Sequence, residues 1–291
     1  MNSLLRTPLS SASDAAHAPL AILPETEGTC SERATGVALP GEETASRSRL
    51  VSRLSAACDW AERSLSLFAS PLGPFYQDAR HYFLPRFVHF GPHTSDASVR
   101  LSLYSGLDHR DTRSAIALLG FIERLSTTPQ LGRSLDLTFF PLVDLLGFVA
   151  RVPGRDLKRA DWNSGVSAPE IDLLARDARL RHYHGFVRIE TIPESDVVNV
   201  SLRTTSESSV VQLLSSDDLV PFDVRWLADV ATASSPVGPL ALEEDLTVAP
   251  FELTLGIPSA WSAEKYSESV AVLLLQFIER YREFAAYAQH L

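Results

Sequence analysis

A chain of 291 residues with 45% hydrophobic content can bury one substantial core, and a formal charge of -10 leaves no global basic field for nucleic acid or an anionic membrane surface. Cys30 and Cys58 are too few for a disulfide framework or a thiolate zinc site, which points to a reduced, cytoplasmic setting. No continuous apolar run near the N-terminus makes a secretory h-region or a membrane span.

Residues 1–47 are rich in Ser, Ala, Thr, Pro and Glu without periodicity, so they read as a disordered leader. Order is expected from Ser48, and residues 48–291 read as a single α/β domain. Leu50, Leu54, Ala57, Cys58, Ala61, Leu65 and Phe68 recur at helical spacing and predict one amphipathic helix ending before Pro71. Cys58 falls on its apolar face, as a core residue rather than a nucleophile. The stretch HYFLPRFVHFGP then reads as a strand closing at Gly91 and Pro92.

The centre alternates strand and helix patterns: VRLSLYSGL, TRSAIALLGFIERL, LDLTFFPLV, a Gly- and Arg-containing loop, APEIDLLARDARL and GFVRIETI. Such alternation predicts a mixed central sheet with helices on its faces. VVNVSLRTT and APFELTLGIP add strands, and Val270, Leu273, Leu274, Phe277, Tyr281 and Phe284 form the core stripe of a long terminal helix. The loops from Ser206 to Glu244 match no readable pattern. His182 and His184 form an HxH read as a surface pair, while His81, His89 and His93 read as strand and turn residues.

Four blocks in order resemble the zinc metallocarboxypeptidases and the related desuccinylase and aspartoacylase branch. SGLDHRDTRSAIALLGFIERL is similar to the block in which a strand, Gly and HGxE lead into a helix, with Asp108 and Asp111 at the two zinc-ligand positions. LTFFPLVDLLGFVARVPGRDLKRADW is similar to FPxxNPxG followed by GxDLNRxF/W, with Asp144 at the Asn and Lys158 at the Asn of DLNR. HGFVRIET resembles the strand that delivers the third ligand, and Glu190 stands there. APFELTLGIPS resembles the strand carrying the general-base Glu, and Gly256 stands in its place.

The resemblance implies a zinc-carboxypeptidase-like, hydrolase-type α/β architecture with altered chemistry. Catalytic zinc favours imidazoles with one carboxylate and an open position. Asp108, Asp111 and Glu190 would form an all-oxygen set, leaving room only for weak magnesium, calcium or manganese binding, with Arg110, Arg159 and Arg188 near enough in sequence to neutralise them. They are expected to cluster at one sheet edge. Glycine at 256 supplies no base, and Glu252, four residues away along the strand, stands too far off to replace it. His109 cannot simply replace the missing ligand, because it points away from its neighbour Asp108. Arg159, with Lys158 and Arg151, would form the substrate-carboxylate side. The expected function is therefore a non-catalytic domain that binds a peptide, a small carboxylate or a partner, without zinc. The alternative is an active carboxypeptidase, amide hydrolase or deacylase that uses zinc or another divalent metal through divergent ligands.

Overall fold

The computed structural model describes residues 40–95, 98–150, 157, 168–193, 195–204, 222–230 and 251–288, all within one compact unit. In chain order, helix α1 (Pro40–Arg63) leads into β1 (Leu67–Ala69), β2 (Leu72–Gln77), β3 (Arg80–Leu84), β4 (Phe87–Phe90) and β5 (Val99–Tyr104). There follow α2 (Thr112–Thr127), β6 (Leu135–Phe140), α3 (Leu145–Ala150), α4 (Pro169–Arg181), β7 (Gly185–Ile192) and β8 (Val198–Thr204). The last described elements are β9 (Val224–Val230), β10 (Phe251–Pro258) and α5 (Ala263–Ala288).

Eight strands form one mixed sheet in the order β1-β4-β6-β5-β7-β10-β8-β9, and β2 and β3 make a separate hairpin. The four central strands, β6, β5, β7 and β10, are mutually parallel, so their carboxyl ends share one edge. All six residues of β6 are buried, as a parallel strand covered on both faces requires. One face of the sheet is a continuous apolar surface that includes Leu101, Leu103, Val187, Ile189, Leu253 and Leu255. The α2 stripe of Ala115, Leu118, Leu119, Ile122 and Leu125 is buried, as is the α5 stripe of Tyr266, Val270, Leu274, Phe277 and Tyr281. Phe284 is only partly buried against the same core. No described helix is long and apolar enough to cross a membrane.

Three differences from the sequence reading have local causes. Helix α1 begins at Pro40, inside the stretch read as leader, and stops at Arg63 instead of running toward Pro71. Ser64 Oγ accepts the backbone N–H groups of Ser66 and Leu67, at 3.1 and 3.0 Å, and this local turn competes with further helix. Leu65 is consequently 99% exposed, and Leu67–Ala69 pairs with β4. The expected single strand around Pro85 is two strands in different sheets, because proline offers no N–H to a ladder. Strand β9 went unread within the 206–244 stretch, although VRWLADV carries an alternating pattern. Cys58 is half-buried against the core, and burial with Asp59 and Glu62 beside it pushes its thiol up to about 11, which keeps it protonated and unreactive.

Candidate functional site

Chain reversal about β5 makes the carboxyl edge of the sheet the place to look for a site. The crossover through α2 leads from β5 to β6 on one side, and the crossover through α4 returns past β5 to β7 on the other. The direction of the chain thus reverses at β5, and in open α/β sheets ligands bind beyond the carboxyl ends of the strands at such a switch point. Gly106 lets the chain leave β5 sharply, with a φ of 62°, and its carbonyl accepts the Asp144 N–H at 2.7 Å.

Each carboxylate at the three motif positions has its own protein partners. Asp108 Oδ1 accepts the Arg110 backbone N–H at 3.0 Å, and its two oxygens take Arg110 Nε and Nη2, each at 3.1 Å. Asp111 caps α2 by accepting the Ser114 N–H at 3.2 Å. It also accepts the Thr191 N–H at 2.8 Å and the Thr191 hydroxyl at 2.5 Å. Glu190 takes Arg188 Nη2 at 2.7 Å, a pairing that strand alternation allows for residues two apart. Successive strand residues point to opposite faces, so Asp111, held by the Thr191 hydroxyl, is drawn to the face opposite Glu190. The three positions share the carboxyl edge, where they were expected, but Asp111 and Glu190 are drawn to opposite faces and the three do not meet at one centre. Among the described residues, no three His, Cys, Asp or Glu side chains form a metal-holding group.

Gly256 pairs in register with Glu190 on β7 and Asn199 on β8, so the motif positions of the third ligand and the base do face one another across adjacent strands. Arg151, Lys158 and Arg159 lie outside the described residues; Leu157 between them is buried.

Two polar contacts escaped the sequence reading. The first is Tyr104 Oη donating to Glu252 Oε1 at 2.8 Å, across the intervening strand β7. Both residues are buried, and burial together with the Glu252 carboxylate pushes the Tyr104 hydroxyl well above its ordinary pKa. Glu252 thus has a structural partner of its own. The second contact is His109 Nδ1 against Asp144 Oδ2 at 2.8 Å, which joins the β5–α2 connection to the start of α3. The expectation that His109 points away from Asp108 is corrected: the segment bends rather than running extended, so His109 Nδ1 lies 3.9 Å from Asp108 Oδ1 as well as against Asp144, a partner 35 residues on that leaves no trace in local sequence.

The HxH pair also resolves differently from expectation. His182 ends α4 in the left-handed conformation, with a φ of 51°. His184 is partly buried, and its Nδ1 accepts the Arg100 N–H at 3.0 Å, so the two are not a surface pair. His89 is fully buried in β4. His81 lies in β3, and His93 sits in a turn with a φ of 63°.

No protein-family model matches the chain, and a sequence comparison with curated proteins finds no match. Solved structures do match. A metallo-carboxypeptidase from Burkholderia cenocepacia superposes with a TM-score of 0.59 at 13% identity, over 81% of this chain and 69% of that one. A metallo-carboxypeptidase from Pseudomonas aeruginosa, solved with (2-guanidinoethylmercapto)succinic acid, gives 0.55 at 15% identity over 80% and 68% of the two chains. Bovine thrombin-activatable fibrinolysis inhibitor, solved with a tick carboxypeptidase inhibitor, gives 0.53 at 10% identity over 84% and 97%. At such identities the likeness speaks for architecture alone: the chain has the metallocarboxypeptidase-like fold.

Proposed function

We propose that this chain is a carboxypeptidase-like domain that has given up zinc-dependent hydrolysis and acts in a cytoplasmic setting by binding a peptide, a small carboxylate or a protein partner. The observation that carries this reading is the engagement of all three motif carboxylates with protein groups. Both oxygens of Asp111 are committed to Ser114 and Thr191, and guanidinium groups already neutralise Asp108 and Glu190. A catalytic zinc needs borderline-soft donors with free lone pairs and an open position, and these oxygen donors do not fit it. At the position of the base, Gly256 supplies no proton acceptor, and Glu252 is held by Tyr104.

The test is elemental analysis of protein purified without chelators, together with steady-state assays on C-terminal peptides and acyl-amino acids. Negligible zinc and background turnover are expected. Near-stoichiometric zinc with chelator-sensitive turnover would overturn the reading in favour of an active hydrolase.

A further inference from the structure

The connections that follow the carboxyl ends of β5 and β6 hold a polar pair that the binding reading does not use. Asp144 is fully buried, and besides His109 Nδ1 it accepts the backbone N–H groups of His109 at 3.2 Å and Gly147 at 3.0 Å. A carboxylate that already accepts from two amides acts as an acceptor toward the ring as well. The proton therefore sits on Nδ1, and Nε2 keeps its lone pair. The side chain of His109 is 18% exposed, and Nε2 neither makes a hydrogen bond among the described residues nor belongs to the buried atoms without a partner. It is left at the carboxyl edge of the parallel strands, where open α/β sheets bind ligands.

We propose that His109, oriented by Asp144, is a metal-independent general base that promotes ester hydrolysis at the carboxyl edge of the sheet. The inference goes beyond the binding reading and does not rest on it. In the step, Nε2 takes a proton from a water molecule as the water oxygen bonds to the acyl carbon. The bond from the acyl carbon to the leaving oxygen then breaks, and that oxygen departs with the electron pair. The imidazolium returns the proton to the departing oxygen or to solvent. Asp144 holds the ring's tautomer and stabilises its transient positive charge. Esters are the matching substrate class, because a phenolate or alkoxide leaves far more readily than an amide nitrogen. Amide cleavage would need carbonyl polarisation of the kind zinc supplies.

The experiment follows hydrolysis of p-nitrophenyl acetate by the full chain in the presence of EDTA, for the parent, His109→Gln and Asp144→Asn, with circular dichroism as the folding control. The parent is expected to exceed both variants by a factor on the order of 10². Equal rates in the parent and a folded His109→Gln chain would overturn the proposal. Should the variants not fold, the parent is treated with diethyl pyrocarbonate and mapped by mass spectrometry. Loss of esterase activity in step with His109 modification supports the proposal, and loss without it, or modification without loss, overturns it. Zinc-dependent peptide turnover in a chelator-free control would defeat the binding reading separately, without altering the outcome of the chelated arm.

Discussion

A Cβ on Gly147 would stand 2.5 Å from His109 Nδ1 and nearer still to Asp144 Oδ2, so this glycine makes room for the pair. Gly147→Ala is expected to destabilise the chain by about 2–3 kcal/mol and to separate His109 from Asp144, because overpacking and a disturbed buried carboxylate add. Urea unfolding measures the first effect, and the His109 ring resonances in an NMR spectrum report the second. His89 exerts its influence through pH. Both of its ring nitrogens are buried without a partner, and burial lowers its pKa from 6.5 to about 4. His184 is lowered to about 4 as well, by burial and the nearby Arg100. Between those values the unfolded chain binds more protons than the folded one, so stability is fully present above pH 6.5 and falls as the pH drops toward 4. For His89 the loss is about 3 kcal/mol at its limit, from ~1.4 kcal/mol per pKa unit. His89→Leu should therefore flatten the acid limb of stability against pH, measured by urea titrations across that range; an unchanged slope would contradict the assignment.

Among the elements, α2 and β7 are joined by one carboxylate. Asp111 caps the helix and also satisfies the Thr191 N–H and hydroxyl, while Tyr266 Oη on α5 lies 3.0 Å from the same hydroxyl. Asp111→Ala removes the cap and strands two donors, with an expected cost of about 2–3 kcal/mol. Asp108→Ala should cost no more than about 0.5 kcal/mol, since its partner Arg110 has a side chain 74% exposed. Thermal or denaturant melts of the two variants side by side decide whether the motif carboxylates are equivalent, as a shared metal site would demand, or unequal as their contacts imply. Tyr104 and Glu252 tie β5 to β10 across β7. Tyr104→Phe should cost about 2–3 kcal/mol, because it takes a donor from a buried carboxylate whose other oxygen has no partner. A double-mutant cycle with Glu252→Gln should give a coupling of about 1 kcal/mol; strict additivity would mean the contact is energetically silent.

For the whole molecule, ion pairs and a helix cap engage the motif positions along the carboxyl edge, and the proposed reading has them stand without a metal. Addition of EDTA is therefore expected to leave the melting temperature unchanged, whereas a structural metal would contribute its binding free energy to stability and be lost with the chelator. The sequence by itself determined the alternation of strands and helices, because βαβ units and apolar stripes at helical spacing are written in local composition; α2, α5 and the parallel strands lie where their patterns put them. It also put Arg188 on the same face as Glu190, which made possible the pair that the structure forms. Ser64 ended α1 early through a local hydrogen bond that apolar periodicity does not register. What only the tertiary structure decided are contacts that depend on how separate elements are brought together. Asp111 meets Thr191, Tyr104 reaches Glu252, and His109 turns to Asp144, all across strands or connections far apart in the chain. Motif spacing placed three carboxylates at one edge of the sheet, but Asp111 is held by Thr191 on β7, while Asp108 and Glu190 are held by their near neighbours Arg110 and Arg188. Hydrogen bonding to those partners satisfies each acid where it stands, and that is why they do not converge.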